Sequence, residues 1–327
     1  MLDQLSVDSK KYIILPHFSF KGDDIIFLDK YKYFVAGDNF KLSNTEKINF
    51  LLNEGVIIRK RIKQVANKKC KDKILIIEPH PDDFVLSASG FVLDKEWRDV
   101  KVMNIFSKTL VANFPWSDKF FINESEFEKI RMKESSFAIE QYFEFKFESL
   151  RLPLAQKRGY ENNFHARKTK SEPCLVEMLS KKIVNEMEKN NYDVLLCPLG
   201  VKKHVDHIVA FEACTLAYEK IKKQKNNFQV VFYEEYPYAR NKRLLLERLE
   251  YVRSFFKLKK IIVKVNDYLQ LINDSIMIYR SQFDNINSKQ MLEVIKRDFE
   301  IVAIEEGNSE NDKGNLFQRY YEIEKIL

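Results

Sequence analysis

The chain has 327 residues, of which 45% are hydrophobic, and its 55 basic and 48 acidic side chains give a formal net charge of +7. This length and apolar content predict a globular protein with one large or two modest domains, and they exclude a low-complexity chain. The apolar runs are too short to span a bilayer and Met1–Gln4 does not begin a signal peptide, so we expect a cytoplasmic protein without a membrane span.

The excess positive charge is spread through the chain in clusters of mixed sign, which is typical of a solvated surface. A nucleic-acid-binding protein would concentrate basic and stacking aromatic residues on one element, so nucleic acid is a minor hypothesis that rests on charge alone. An anionic small substrate such as a sugar phosphate is equally compatible with this charge. The four cysteines form no Cys-x-x-Cys pair, so we expect ordinary buried thiols without disulfides.

Residues 1–70 predict a small N-terminal extension or α+β module. Short strands at Ile25–Leu28 and Tyr33–Ala36 predict a β-hairpin, and Asn44–Gly55 predicts a helix. Because so short a segment hardly builds a core of its own, an extension packed on the main domain is favoured over an independent recognition module. His17 has aromatic neighbours and is predicted to be a core or surface histidine rather than a metal ligand.

The main domain, predicted over residues 71–327, begins with a strand that runs into polar residues. The four apolar residues Ile74–Ile77 predict a strand buried on both faces, and His80–Asp83 follow in a turn. Any turn residues can close a packed strand end, whereas a metal cation needs oxygen and imidazole donors that converge from a short, stiff segment. The turn therefore indicates a metal-binding or catalytic function, and in an open α/β sheet it lies where ligands bind.

Strands and helices alternate through the rest of this domain. A long loop at Ser107–Ile122 contains aromatic residues that either border a pocket or simply pin the loop. Residues 305–315 are polar and predicted to be mobile. The helices are predicted at 85–96, 123–142, 173–189 and 268–279, with a further one after His207, and the strands at 100–106, 147–152, 193–198, 230–233 and 261–265.

A second apolar strand, Asp193–Pro198, leads into a loop and a helix start that contain His204, Asp206 and His207. The chain has five histidines, and three of them lie in the two strand-end loops. This concentration predicts a mononuclear metal site. His165, in a loop between the two motifs, is predicted to be a surface residue, with substrate contact as the alternative.

The two motifs, in this order, resemble those of the PIG-L or LmbE-like zinc-dependent N-deacetylases, and the resemblance covers roughly residues 72–285. Arg131–Glu134 is similar to the family's Arg-x-x-Glu, and Tyr279–Gln282 to its Tyr-x-Ser-Gln. The resemblance implies a Rossmann-like three-layer α/β sandwich with a mostly parallel sheet. It also implies a small-molecule, N-acylated substrate, and an oligomer is compatible with it.

The resemblance further implies one zinc ion per chain, with Fe²⁺ or Co²⁺ as possible substitutes. The ligands carried over from the family motifs are His80, Asp83 and His207. Three protein ligands with an open fourth position are the arrangement of catalytic zinc, which lowers the pKa of water toward about 7.

Four other residues receive catalytic or substrate-binding roles from the same resemblance. Asp82 is the expected general base, and His204 is expected to stabilise the oxyanion or protonate the leaving amine. Asp206 is expected to orient an imidazole. Arg131 is expected to reach a substrate oxygen, and an exposed ion pair with Glu134 is the alternative.

Two departures from the family pattern bear on activity. Phe84 stands where relatives usually place an acid after the two aspartates, and Leu154 stands where relatives often carry an acid for substrate hydroxyls. The first hypothesis is a hydrolase that removes an N-acetyl or other small acyl group from an amino sugar, a sugar conjugate or a related metabolite. The second is a catalytically altered scaffold that binds a ligand or partner without turnover.

Overall fold

The protein is described from a computed structural model, and its chain forms two compact units. The first unit comprises Met1–Gln64, Val111–Glu144 and Asn273–Leu292, and the second comprises Val65–Leu110, Phe145–Ile272 and Glu293–Leu327. The boundary predicted near residue 70 stays a prediction. The structure describes residues 12–21, 24–27, 31–34, 44–53, 56–59, 70–95, 97–108, 123–161, 172–223, 228–283, 285–305 and 315–327.

Three segments named in the sequence analysis lie outside the described residues. They are the predicted aromatic loop beyond Lys108, His165, and the polar segment at 306–314.

The described strands are named in chain order. They are β1 (Tyr12–Ile14), β2 (Phe18–Lys21), β3 (Asp24–Phe27), β4 (Tyr31–Phe34), β5 (Ile57–Arg59), β6 (Lys73–Glu78), β7 (Asp99–Lys108), β8 (Lys146–Pro153), β9 (Val194–Pro198), β10 (Gln229–Tyr233), β11 (Phe256–Lys264) and β12 (Phe317–Ile326).

The described helices are named in the same way. They are α1 (Asn44–Asn53), α2 (Ser89–Leu93), α3 (Glu124–Ser136), α4 (Pro173–Asn190), α5 (Val205–Lys222), α6 (Lys242–Arg253), α7 (Leu269–Ile276) and α8 (Asn285–Glu305). Across these segments no helix has the combination of length and apolarity that crossing a membrane requires. The helix predicted after the first motif is not uniform, because a π-helical turn at Phe84–Ala88 precedes α2.

A seven-stranded sheet organises the second unit, with the strand order β11-β12-β10-β9-β6-β7-β8. Strands β6 to β10 are parallel, and β12 pairs antiparallel with both β10 and β11. The chain lays down β6, β7 and β8 in one direction and then returns to place β9 on the other side of β6. The topological switch point therefore lies between β6 and β9, and the predicted mostly parallel α/β fold is confirmed.

The two strands at the switch point are buried, as their apolar runs predict. Ile74–Ile77 of β6 are fully buried, and Ile76 pairs in register with Leu196 of β9. Helices α4 and α5 pack against each other and contribute Leu179 and Ala213 to the same core. The four cysteines are free thiols, as predicted, but only Cys197 and Cys214 are buried, whereas Cys70 is half-buried and Cys174 on α4 is exposed.

The first unit contains the predicted hairpin and helix. Strands β2, β3 and β4 form an antiparallel sheet, β1 pairs with β5, and α1 lies between β4 and β5 in the chain. His17 is a core histidine: its Nε2 lies 2.8 Å from Oε1 of Glu134. Burial lowers the pKa of His17, although the hydrogen bond and the charge of Glu134 oppose this.

Glu134 joins the two minor motifs within this unit. Its carboxylate accepts the backbone N–H of Ser281 at 2.6 Å and also the hydroxyl of Ser281. Arg131 and Glu134 are both buried, so the predicted alternative of an exposed ion pair between them is wrong.

Gly90 lets α2 approach the sheet of the second unit closely. A Cβ atom at this position would lie 2.0 Å from Oε1 of Gln318 on β12 and 2.9 Å from Cγ1 of Val265. Real carbon atoms do not approach other atoms so closely, so a side chain here would force Gln318 and Val265 to shift, and its absence permits the observed spacing between helix and sheet.

We expect Gly90→Ala to destabilise the protein. Alanine is favoured over glycine in helices by about 1 kcal/mol, but overpacking here should dominate and lower the free energy of unfolding by about 1–3 kcal/mol. Urea denaturation followed by circular dichroism measures this change. In a Gln318→Ala background the same substitution should cost less, because the nearest atom is gone. An unchanged or increased stability of the single variant would contradict the predicted clash.

Candidate metal and catalytic site

The two sequence motifs meet at the carboxyl ends of β6 and β9. Because these strands are parallel neighbours, the residues that follow them emerge at the same edge of the sheet. The turn after β6 supplies His80 and Asp83, and the segment after β9 supplies His204 and His207 at the start of α5. Among these residues His80 is partly exposed, whereas the two later histidines are buried.

Three donor atoms converge at this edge. Nδ1 of His80 lies 3.2 Å from Nε2 of His207. Oδ2 of Asp83 lies 3.3 Å from the same His207 nitrogen and 3.8 Å from Nδ1 of His80. Two imidazole nitrogens and one carboxylate oxygen thus form a compact triangle.

The dimensions of this triangle fit a zinc ion. Tetrahedral donors at bond lengths of about 2.1 Å are separated from one another by about 3.4 Å, which is close to the three observed distances. His80, His204 and His207 form an overlapping group whose donor atoms lie within 4.8 Å of one another. The buried cluster is therefore compatible with a metal site.

Asp206 holds the ring of His80 from the side away from the triangle. Its Oδ2 lies 2.8 Å from Nε2 of His80, and its Oδ1 accepts a hydrogen bond of 2.7 Å from Nη1 of Arg158. Burial alone would raise the pKa of Asp206, but the hydrogen bond from His80 and the nearby positive charges hold it well below its usual range. The carboxylate therefore favours a proton on Nε2 of His80 and leaves the lone pair of Nδ1 facing the triangle.

Glu235 holds the ring of His207 in a similar way. Its Oε1 lies 3.2 Å from Nδ1 of His207 and accepts the backbone N–H of Gly200 at 2.6 Å. Burial alone would lower the pKa of His207, but Asp83 and Glu235 raise it to about 9. The negative surroundings that attract a proton to this imidazole also favour a divalent cation in its place.

His204 is oriented differently from the other two histidines. Its Nδ1 accepts the backbone N–H of Asp206 at 3.2 Å, which caps α5, so the proton of the neutral ring lies on Nε2. Burial, together with the charges of His80 and His207, lowers the pKa of His204 to about 2. The ring thus stays neutral and presents an N–H donor, and it stacks on Tyr238 with ring centroids 6.4 Å apart.

The remaining predicted residues are placed as follows. Asp82 is half-buried in the turn between His80 and Asp83, with a positive φ of 111°. Phe84 is buried and its ring contacts that of Phe145. Arg131 lies on α3 in the first unit, so its contact with substrate stays a prediction.

The sequence does not identify Glu235 or Arg158 as partners of the histidine cluster, although the segment Glu234–Tyr238 resembles a family motif that is expected to rim the pocket. Glu235 had a signal, because it follows the apolar run of β10 in the same way that the first motif follows β6. Arg158 had none, since its partner Asp206 lies 48 residues further along the chain. Arg158 also donates to Glu172 at 2.9 Å and stacks on the ring of Phe106 at 4.7 Å, which fixes its guanidinium.

No known family profile matches the chain, and no curated protein matches it. Solved structures do. The chain is similar to a deacetylase of the teicoplanin biosynthesis pathway (17% identity, TM-score 0.57, 78% of this chain and 98% of that one). It is also similar to the zinc-inhibited form of teicoplanin deacetylase Orf2 (17% identity, TM-score 0.56, 78% and 99%) and to a deacetylase–teicoplanin complex (16% identity, TM-score 0.55, 77% and 98%). At this level of identity the likeness establishes the fold.

The ion pair between Arg158 and Asp206 generates a stability prediction. In Arg158→Met the buried Asp206 carboxylate loses its charged partner while the apolar stem is kept, so the free energy of unfolding should fall by about 3–5 kcal/mol. In an Asp206→Asn background the same substitution should cost clearly less, because no buried charge is stranded. Urea denaturation of the four proteins gives the coupling energy. Equal costs in both backgrounds would show that the pair contributes no coupling.

Proposed function

We propose that the protein is a zinc-dependent N-deacetylase, an amidohydrolase that removes an acetyl or other small acyl group from an amino sugar, a sugar conjugate or a related metabolite. The observation that carries the proposal is the triangle of His80 Nδ1, Asp83 Oδ2 and His207 Nε2, with Asp82 beside it in the same turn. The likeness to solved deacetylases supports it, although a shared fold alone does not define an activity.

The triangle residues His80, Asp83 and His207 would hold the metal, with one ion per chain. A zinc ion bound there would lower the pKa of water and polarise the acyl carbonyl. Asp206 and Glu235 would keep the two imidazoles in the orientation and protonation state that ligation requires.

Asp82 and His204 would perform the proton transfer and charge stabilisation. Asp82 lies between two proposed ligands without being one, so its carboxylate would accept the proton of the attacking water. His204 presents Nε2–H as a donor, because its Nδ1 is occupied by the helix cap. This hydrogen bond would stabilise the oxyanion that develops on the acyl carbonyl. The alternative role of His204, protonation of the leaving amine, stays a prediction.

The alternative of a binding scaffold without turnover rests on Phe84 and Leu154. Neither side chain belongs to the donor triangle or to the carboxylates that hold its imidazoles. Leu154 directly precedes Ala155, whose backbone N–H donates to Asp206 at 3.3 Å. Both departures therefore leave the proposed ligands and the carboxylates that hold their imidazoles unchanged, which favours the hydrolase.

The first prediction of this proposal concerns metal content. The purified protein should contain about one zinc per chain, because the triangle offers three ligands. His80→Ala and His207→Ala should each reduce zinc occupancy strongly in elemental analysis after dialysis. His204→Ala is the matched control and should retain zinc, since His204 lies outside the triangle of His80, Asp83 and His207. Zinc retained in a His80→Ala/His207→Ala double variant, or lost from His204→Ala, would contradict the ligand assignment.

The second prediction concerns the general base. Asp82→Asn keeps the size of the side chain but removes the proton acceptor, so turnover should fall by about a hundred- to ten-thousandfold while zinc content and folding persist. Acetate release is measured on a panel of N-acetylated sugars, nucleotide sugars and thiol glycosides with added zinc. Wild-type rates in Asp82→Asn would show that another group takes the proton. A wild-type protein inert on the whole panel would favour the scaffold.

A further inference from the structure

Glu78 lies directly beneath the proposed catalytic turn. It is the last residue of β6, and its side chain is fully buried. One carboxylate oxygen, Oε1, accepts the backbone N–H of Asp82 at 3.2 Å and the backbone N–H of Phe84 at 3.2 Å. A single acceptor atom therefore ties two amides of the turn to the end of the strand.

Further hydrogen bonds lie within the turn and between the turn and the helix that follows. The N–H of Asp83 donates to the carbonyl of His80 at 3.2 Å, and the N–H of Leu86 donates to the carbonyl of Asp82 at 3.0 Å. The carboxylate of Asp83 accepts the N–H of His80 at 2.8 Å. Glu78 thus links the turn to the end of β6 through its side chain.

Asp82 needs such a link because its backbone is strained. Its φ of 111° lies in a region that residues with a Cβ rarely adopt, and such a conformation persists only when the surroundings enforce it. Metal binding would fix the flanking His80 and Asp83, but the carboxylate of Asp82 would not be held in this way. The backbone conformation of the turn sets the direction of the Cα–Cβ bond from which this carboxylate extends.

We propose that Glu78 is a positioning residue that sets the direction of the Asp82 carboxylate through these two hydrogen bonds. This inference rests on the proposed function, because it takes Asp82 as the general base. The turn requires an acceptor oxygen at the distance from the β6 backbone that a glutamate side chain spans. A buried carboxyl group is costly at the end of a strand with the apolar run Ile74–Ile77, and the hydrogen bonds that Oε1 accepts from two amides offset part of this cost.

Three substitutions of Glu78 test whether the length of its side chain or its acidic group is what the turn requires. Glu78→Gln keeps an acceptor at the same reach, Glu78→Asp keeps the acid but is one methylene shorter, and Glu78→Leu keeps the bulk without an acceptor. We expect kcat close to wild type in Glu78→Gln. In Glu78→Asp and Glu78→Leu, kcat should fall by about ten- to a hundredfold, as expected for a displaced catalytic group. KM and zinc content should change little in all three.

A role that is merely structural would not reproduce the coupling to Asp82. In the Asp82→Asn background, Glu78→Asp and Glu78→Leu should lower kcat no further, because the group that Glu78 positions is already disabled. Equal losses in both backgrounds would overturn the proposal. So would a Glu78→Gln enzyme as impaired as Glu78→Asp, since this would assign the function to the acid itself. If Glu78→Leu fails to fold, Glu78→Asp and Glu78→Gln carry the same comparison.

Hydrogen exchange distinguishes a failure of this inference from a failure of the proposed function. In the zinc-loaded protein the amides of Asp82 and Phe84 should be protected, and Glu78→Asp should increase their exchange by about tenfold or more relative to Glu78→Gln. This readout needs no substrate. Unchanged exchange in Glu78→Asp would overturn the positioning role even in an active enzyme, whereas faster exchange in an inactive protein would sustain the hydrogen bonds and refute only the deacetylase assignment.

Discussion

Two imidazole nitrogens lie 3.2 Å apart at the edge of the sheet, and each ring is held there from behind by a buried carboxylate. Asp206 and Glu235 cannot be buried as charged groups without partners of their own. Arg158 supplies a partner to one of them, and the backbone of Gly200 supplies a partner to the other. The close approach of the rings therefore depends on polar groups drawn from several elements of the second unit.

The sheet makes this arrangement possible because its strand order reverses at one place. β6 and β9 are neighbours at that place, and the following strand β10 ends beside β9. Glu235, which follows β10, can therefore reach the start of α5, where His207 lies. The buried apolar strands stabilise the fold, and the polar loops at their carboxyl ends hold the residues of the candidate site, as in other open α/β sheets.

The parts of this architecture that follow from local pattern could be predicted from the sequence. The apolar runs at Ile74–Ile77 and Val194–Pro198 become buried strands, and the polar residues after them converge. Helices α6 and α8 and strand β12 were not predicted. Strand β12 has polar residues at several positions, and its place between β10 and β11 is decided by contacts with strands far away in the chain.

For the candidate site, too, only the residues that lie in short local motifs could be predicted. His80, Asp83 and His207 could be named because their motifs are short, whereas the pairing of Arg158 with Asp206 spans 48 residues and leaves no local trace. Phe84 shows that a departure from a motif does not by itself reveal its structural consequence. The missing acid at that position raised the hypothesis of an altered activity, and in the structure the backbone N–H of Phe84 donates to an acid at the end of β6. Support came from a residue on the other side of the motif.

The position of β12 has a consequence for how the chain acquires its structure during synthesis. Strand β11 pairs with β12 along its whole length, so β11 leaves the ribosome before the partner that will cover it exists. An unpaired strand invites pairing with other nascent chains. Strand β11 has four lysines, and their charge disfavours such aggregation until β12 has been synthesised. They are Lys257, Lys259, Lys260 and Lys264. The lysines of this edge strand are thus also suited to prevent aggregation of the chain before β12 pairs with β11.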